Sequence, residues 1–95
     1  MSANLSQLKI GSLQLAPEFD SDVLNYTVTT TNDTNKLTAV AEDEHSIIEC
    51  KLGDAAVNNN SSLTWAAGEN IVTVKVTDDT DATVTKTYTV TVTKQ

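Results

Sequence analysis

Gly68-Glu69-Asn70-Ile71-Val72-Thr73-Val74-Lys75-Val76-Thr77, followed after an acidic turn by Thr83 to Thr93, is the stretch that decides the fold. Val72, Val74 and Val76 fall on one face of an extended chain, and Tyr88, Val90 and Val92 do the same in the second segment. Thr and Lys hold nearly all the positions between them. Strand side chains alternate between two faces, so a period of two predicts an antiparallel hairpin with one buried and one wet face. Such a hairpin needs a covering layer, which the earlier residues must supply as a second sheet.

Moving back along the chain, Ala66-Ala67-Gly68-Glu69-Asn70 makes the corner into the hairpin, and Leu63 and Trp65 precede it. Asn58-Asn59-Asn60-Ser61-Ser62 is the most turn-prone run, because Asn and Ser side chains bond to nearby backbone in place of a ladder. Ile48, Cys50 and Leu52 alternate in phase, as do Leu37, Ala39 and Ala41, and before them Leu24, Tyr26 and Val28. Glu42-Asp43-Glu44, Thr31-Asn32-Asp33-Thr34-Asn35 and Asp20-Ser21-Asp22 are polar connections. Leu5, Leu8 and Ile10 open the chain as a short strand, and Gly11-Ser12 lets it kink, so that it can divide between two sheets. Pro17 cannot donate to a ladder, which makes residues 15–19 an irregular edge segment whose Leu15 and Phe19 plug the end of the core. About seven short strands at intervals of roughly 8 to 12 residues is the pattern of an all-β sandwich.

The 95 residues suffice for one domain, 1–95, with a modest core. Aromatic residues are only 4% of the chain, so that core must be aliphatic, and sixteen Thr residues bias the whole toward strand. Thirteen acidic residues against six Lys and no Arg give a net charge of -7, which argues against nucleic acid and anionic membrane surfaces as partners. No apolar run approaches the roughly 20 residues that cross a bilayer. Cys50 is the single cysteine, so no internal disulfide staples the fold. Met1-Ser2-Ala3-Asn4 lacks the basic start and apolar run of a signal peptide, which leaves two expectations: a piece of a longer exported protein, or a product that reaches its place by assembly.

Taken together, Leu5-x-x-Leu8, Leu15-x-Pro17-x-Phe19, Tyr26-Thr27-Val28, Gly68-Glu69-Asn70 leading into Val72-x-Val74-x-Val76-Thr77, and Lys86-Thr87-Tyr88-Thr89-Val90-Thr91-Val92 resemble the cadherin-like β-sandwich domains of bacterial surface and secreted proteins. The resemblance covers essentially the whole chain. It implies an immunoglobulin-like, two-sheet antiparallel sandwich and a non-catalytic module, used as a spacer or adhesive unit in cell-wall proteins, exported enzymes and some phage structural proteins. The last hairpin departs from the family's usual short glycine-containing turn, having Asp78-Asp79-Thr80-Asp81-Ala82 instead. No catalytic or metal residues are shared across the family.

Asp78, Asp79 and Asp81 are the candidate metal ligands, since Ca²⁺ takes six to eight oxygens and clustered loop carboxylates supply several. Against this stands a solvated turn whose Asp side chains cap backbone groups; a calcium site would also need Glu42, Asp43 or Asp33 alongside. Cys50 and His45 could form a thiol–imidazole pair, yet Cys50 is in phase with Ile48 and Leu52 and reads as a small buried hydrophobe. Trp65, Tyr26, Phe19 and Tyr88 are all the rings available for a sugar platform, and the phase of Tyr26, Tyr88 and Trp65 with aliphatic neighbours places those three in the core. Asn-x-Ser/Thr triplets start at Asn4, Asn25, Asn32, Asn59 and Asn60, as composition alone would produce. Lys75 and Lys86 are expected on the outer faces, protecting edges.

The expectation is therefore a structural and interaction module with no enzyme activity and no cofactor beyond a possible calcium ion. It would be extracellular, on a cell surface or on a virion. Its partners would be neighbouring domains or virion and surface proteins, with a host glycan or protein as a further target. The alternative is an accessory domain of a secreted enzyme, stiffened by calcium or binding carbohydrate.

Overall fold

The computed structural model describes residues 3–13, 15–16, 18–20, 22–43 and 45–95. Among these residues eight strands follow in order: β1 (Leu5–Ile10), β2 (Asn25–Thr30), β3 (Thr34–Ala41), β4 (Ile47–Leu52), β5 (Ala55–Val57), β6 (Ser62–Thr64), β7 (Gly68–Thr77) and β8 (Thr85–Lys94). They form a three-stranded sheet, β1-β3-β6, and a five-stranded sheet, β2-β8-β7-β4-β5. No helix occurs among the described residues. The eighth strand relative to the expected seven is β5, three residues long, which the alternation rule is too coarse to detect.

β7 and β8 pair antiparallel along their whole lengths, with Val72 opposite Val90 and Val74 opposite Tyr88. Val72, Val74, Val76, Tyr88, Val90 and Val92 are fully buried. The covering layer comes from Leu5, Leu8, Ile10, Leu37, Ala39 and Leu63 of the smaller sheet. Burying each large aliphatic side chain contributes about 1.5–3 kcal/mol, largely offset by the entropy of ordering the chain. β8 begins two residues later than the alternation suggested, because residues 78–84 close the turn: Asp78 N donates to Val84 O and Val84 N to Asp81 O.

The spacing Leu5-x-x-Leu8 does not fit a regular strand, in which residues three apart face opposite ways. A register shift between Leu5 and Gln7 against β3 turns both leucines inward. Gly11 then takes φ +60 where β1 ends, packed so closely on Asn35 that a Cβ would sit 2.7 Å from its amide nitrogen. The chain crosses to the larger sheet through Ala16, whose backbone exchanges hydrogen bonds with Thr27. Thus the opening segment does divide between sheets, by a single bridge. Leu15 is buried and Phe19 packs against the core, stacked on Tyr26 at 5.9 Å between ring centroids and tilted against Tyr88 at 6.2 Å. Pro17, Ser21 and Glu44 lie outside the described residues.

Two expectations need correction. The sandwich is not wholly antiparallel, since β2 runs parallel to β8, Thr27 beside Thr91. And Lys75 and Lys86 guard no edge: β7 and β8 are interior strands, and Lys86 shares the inward face of Tyr88. Its stem is covered and its ammonium emerges at the rim, 6.0 Å from the centre of the Tyr88 ring.

Candidate functional site

In the β7–β8 turn Asp78 and Asp81 already serve the backbone, while Asp79 is exposed. Asp78 Oδ1 accepts from the amide and hydroxyl of Thr80, both at 2.9 Å, and Asp81 Oδ1 accepts from the amide of Thr83 at 3.0 Å and its hydroxyl at 2.6 Å. These are the local bonds by which Asp shapes a turn without glycine. They also set the ionisation. The Thr80 amide, outweighing desolvation, holds Asp78 below the usual carboxylate range, and the Thr83 hydroxyl and amide do so for Asp81. Asp78 is 2% exposed, and its Oδ2 is buried without a hydrogen-bond partner. Among the described residues no group of three or more His, Cys, Asp or Glu side chains is placed to hold a metal ion.

Cys50 lies mid-strand in β4, opposite Val74, and is buried; burial pushes its thiol above the usual range. A nucleophile requires the opposite shift. His45 sits in the exposed β3–β4 loop, its main-chain N–H donating to Asp43 Oδ1 at 3.0 Å. The rings offer no platform: Tyr26, Tyr88 and Trp65 are buried and their polar atoms engaged. The Tyr26 hydroxyl donates to Asp20 O at 2.6 Å, the Tyr88 hydroxyl accepts from Leu5 N at 3.1 Å, and Trp65 Nε1 donates to Asn35 Oδ1 at 2.9 Å.

Three polar braces escaped the sequence reading. Asn59 makes a two-way amide pair with the backbone of Ala39, donating to its oxygen at 2.6 Å and accepting from its nitrogen at 2.9 Å. It stands in for a strand where β6 no longer flanks β3. Asn70 does similar work at the corner before β7, accepting from Ala66 N and donating to Ala66 O, Gly68 O and Val92 O. The third is at the amino end, where Lys86 Nζ donates to Asn4 Oδ1 at 2.5 Å. The signal that could have found the second is an Asn in phase with the inward valines of β7: a polar side chain in a nearly apolar layer has backbone to satisfy. Of the Asn-x-Ser/Thr positions, Asn4 and Asn59 thus have their amides committed to structure.

One open groove of about 460 Å³ lies where β5 ends, between residues 48–51 of β4 and the 56–59 stretch as it leaves for the other sheet. Of the candidate residues singled out in the sequence it brings together Cys50 and Asn59. No helix among the described residues is long and apolar enough to cross a membrane.

Against known proteins, no characterised sequence matches the chain. A family model does, the cadherin-like beta sandwich domain, over residues 5–95. Two facing sheets, an aliphatic core, Asp-built turns and that near-complete match lead to one statement: the chain belongs to the cadherin-like β-sandwich family.

Proposed function

We propose that the protein is a structural and adhesive display module, a spacer in a bacterial surface protein or a phage virion that holds its neighbours apart and touches a host surface weakly. Cadherin-like domains are typically non-catalytic and usually extracellular or surface modules. The observation that carries the reading is polarity. Asn4 lies beside Lys86 at the start of β8, while Gln95, following β8, donates its amide to Thr30 at the far end. Nine residue steps from Lys86 to Gln95 at about 3.3 Å each separate these points by about 30 Å, in a molecule whose extents are 41 × 25 × 17 Å. Chain entering at one pole and leaving at the other is the geometry of a bead on a string.

Small-angle scattering from two copies joined end to end tests this. The spacer reading expects an elongated particle in which the second copy adds a length close to the long axis. A compact, side-by-side pair would sink it.

Calcium is the second reading, favoured by the one Asp78 oxygen that no donor satisfies. It would make the β7–β8 turn a stiffening site in an accessory domain. Melting compared in chelator and in millimolar Ca²⁺ decides it, and identical curves dispose of the idea.

A further inference from the structure

We infer that the module is built to carry tension along its long axis, because both terminal strands are gripped so that an axial pull must shear them rather than peel them. The source of such a load rests on the spacer reading; the resistance itself does not, and the two can fail separately. β8 runs from the pole that holds Asn4 to the pole that holds Thr30, and a pull on Gln95 lies along its own direction. It is flanked on both sides, by β7 over its full length and by all of β2. Cross-strand hydrogen bonds lie across the strands, so an axial load stretches the whole ladder at once instead of one bond at a time.

Sliding offers no easier route. A slip of one residue would turn Val90 and Val92 outward and bring Thr89 and Thr91 into the core, so only a two-residue jump regains a tolerable register.

At the other pole the chain leaves through Asn4 and Leu5, and β1 runs inward from there, antiparallel to β3 with Leu5 opposite Ala41. An outward pull therefore also acts along β1. Three bonds latch its exposed end: Leu5 N to the Tyr88 hydroxyl, Glu42 N to Asn4 O, and Lys86 Nζ to Asn4 Oδ1. The Tyr88 bond ties β1 to β8 across the sandwich, and the Lys86 bond ties the residue just before β1 to β8, which joins the two loaded segments to each other.

The test is single-molecule force spectroscopy on the full chain in two pulling directions. One places handles at the amino end and at Gln95. The other places them at the amino end and at Asp43, just beyond β3, so that β1 and β3 are unzipped from their shared end starting at Leu5 and Ala41. The protein is the same in both, so its equilibrium stability is held fixed. At equal loading rate the end-to-end direction is expected to need a several-fold higher unfolding force. An end-to-end force equal to or below the unzipping force would overturn the inference.

Discussion

Val74 shows what a single residue contributes here. It is fully buried, with Cys50 on one flanking strand and Tyr88 on the other. A carboxyl group at that point would have no partner, and burying it costs several kcal/mol even after it takes up a proton, a large share of the about 5–15 kcal/mol by which a domain of this kind is stable. Val74→Asp is therefore expected to abolish the strand signal in far-UV circular dichroism. Thr87→Asp, on the exposed face of the adjoining strand, is expected to change stability by no more than about 0.5 kcal/mol. A larger loss from Thr87→Asp than from Val74→Asp would mean that the inward and outward faces are exchanged, and equal losses that the two faces do not differ in burial. Phase was legible at this scale because Val and Thr differ so plainly in polarity. It failed for Lys86, whose charge suggested an outer face although its position, two before Tyr88, puts it on the inner one. A long apolar stem lets lysine sit at the rim of a core, which residue type alone conceals.

Among the elements, β3 depends most on something other than a strand. Beyond Lys36 its outer edge is met by Ser61 O, Asn60 N and the amide of Asn59. Asn60 holds φ 61, a left-handed conformation that Asn tolerates better than most residues, and this turns the chain back toward Leu37. Asn59→Ala removes both bonds to Ala39 and is expected to cost about 1–3 kcal/mol. At about 4–8 °C per kcal/mol for a domain this small, the loss is measurable as a lower melting temperature. A melt within 2 °C of wild type, or about 0.5 kcal/mol by the same conversion, would show that water replaces the side chain without loss. The sequence marked residues 58–62 as a turn but said nothing of where its amides point, because that depends on the facing strand. Strand pairing escaped for the same reason. The alternation of Tyr26 and Val28 announces a strand, yet nothing local tells that it lies parallel to β8.

At the scale of the whole molecule, ionisation sets the pH range of the fold. The Lys94 ammonium, bonded at 2.8 Å, holds Asp33 below the usual carboxylate range, alongside the depressed Asp78 and Asp81. Their contribution is complete above the unfolded value of about 3.9 and disappears as pH falls through the lower folded values. Burial raises the Cys50 thiol and the Tyr26 and Tyr88 phenols. Those groups support folding fully below their unfolded values of about 8.5 and 10, and that support is lost as pH climbs past them. Melting temperature against pH should accordingly be flat from about pH 5 to 8 and decline on either side. A rise in melting temperature below about pH 4 would contradict the acidic half of this account.

The position of β8 between β2 and β7 has a consequence for how the protein is made. Within this domain, the strand that sits between β2 and β7 leaves the ribosome after all the others. Until Thr85–Lys94 emerges, the valine face of β7 and the inner side of β2 have nothing between them, and the earlier strands must wait with apolar surface in contact with water. Closure then needs partners far apart in sequence, as Thr27 and Thr91 are, which belongs to the slow end of folding kinetics. The domain is thus committed late, by the ten-residue strand that follows its others in sequence.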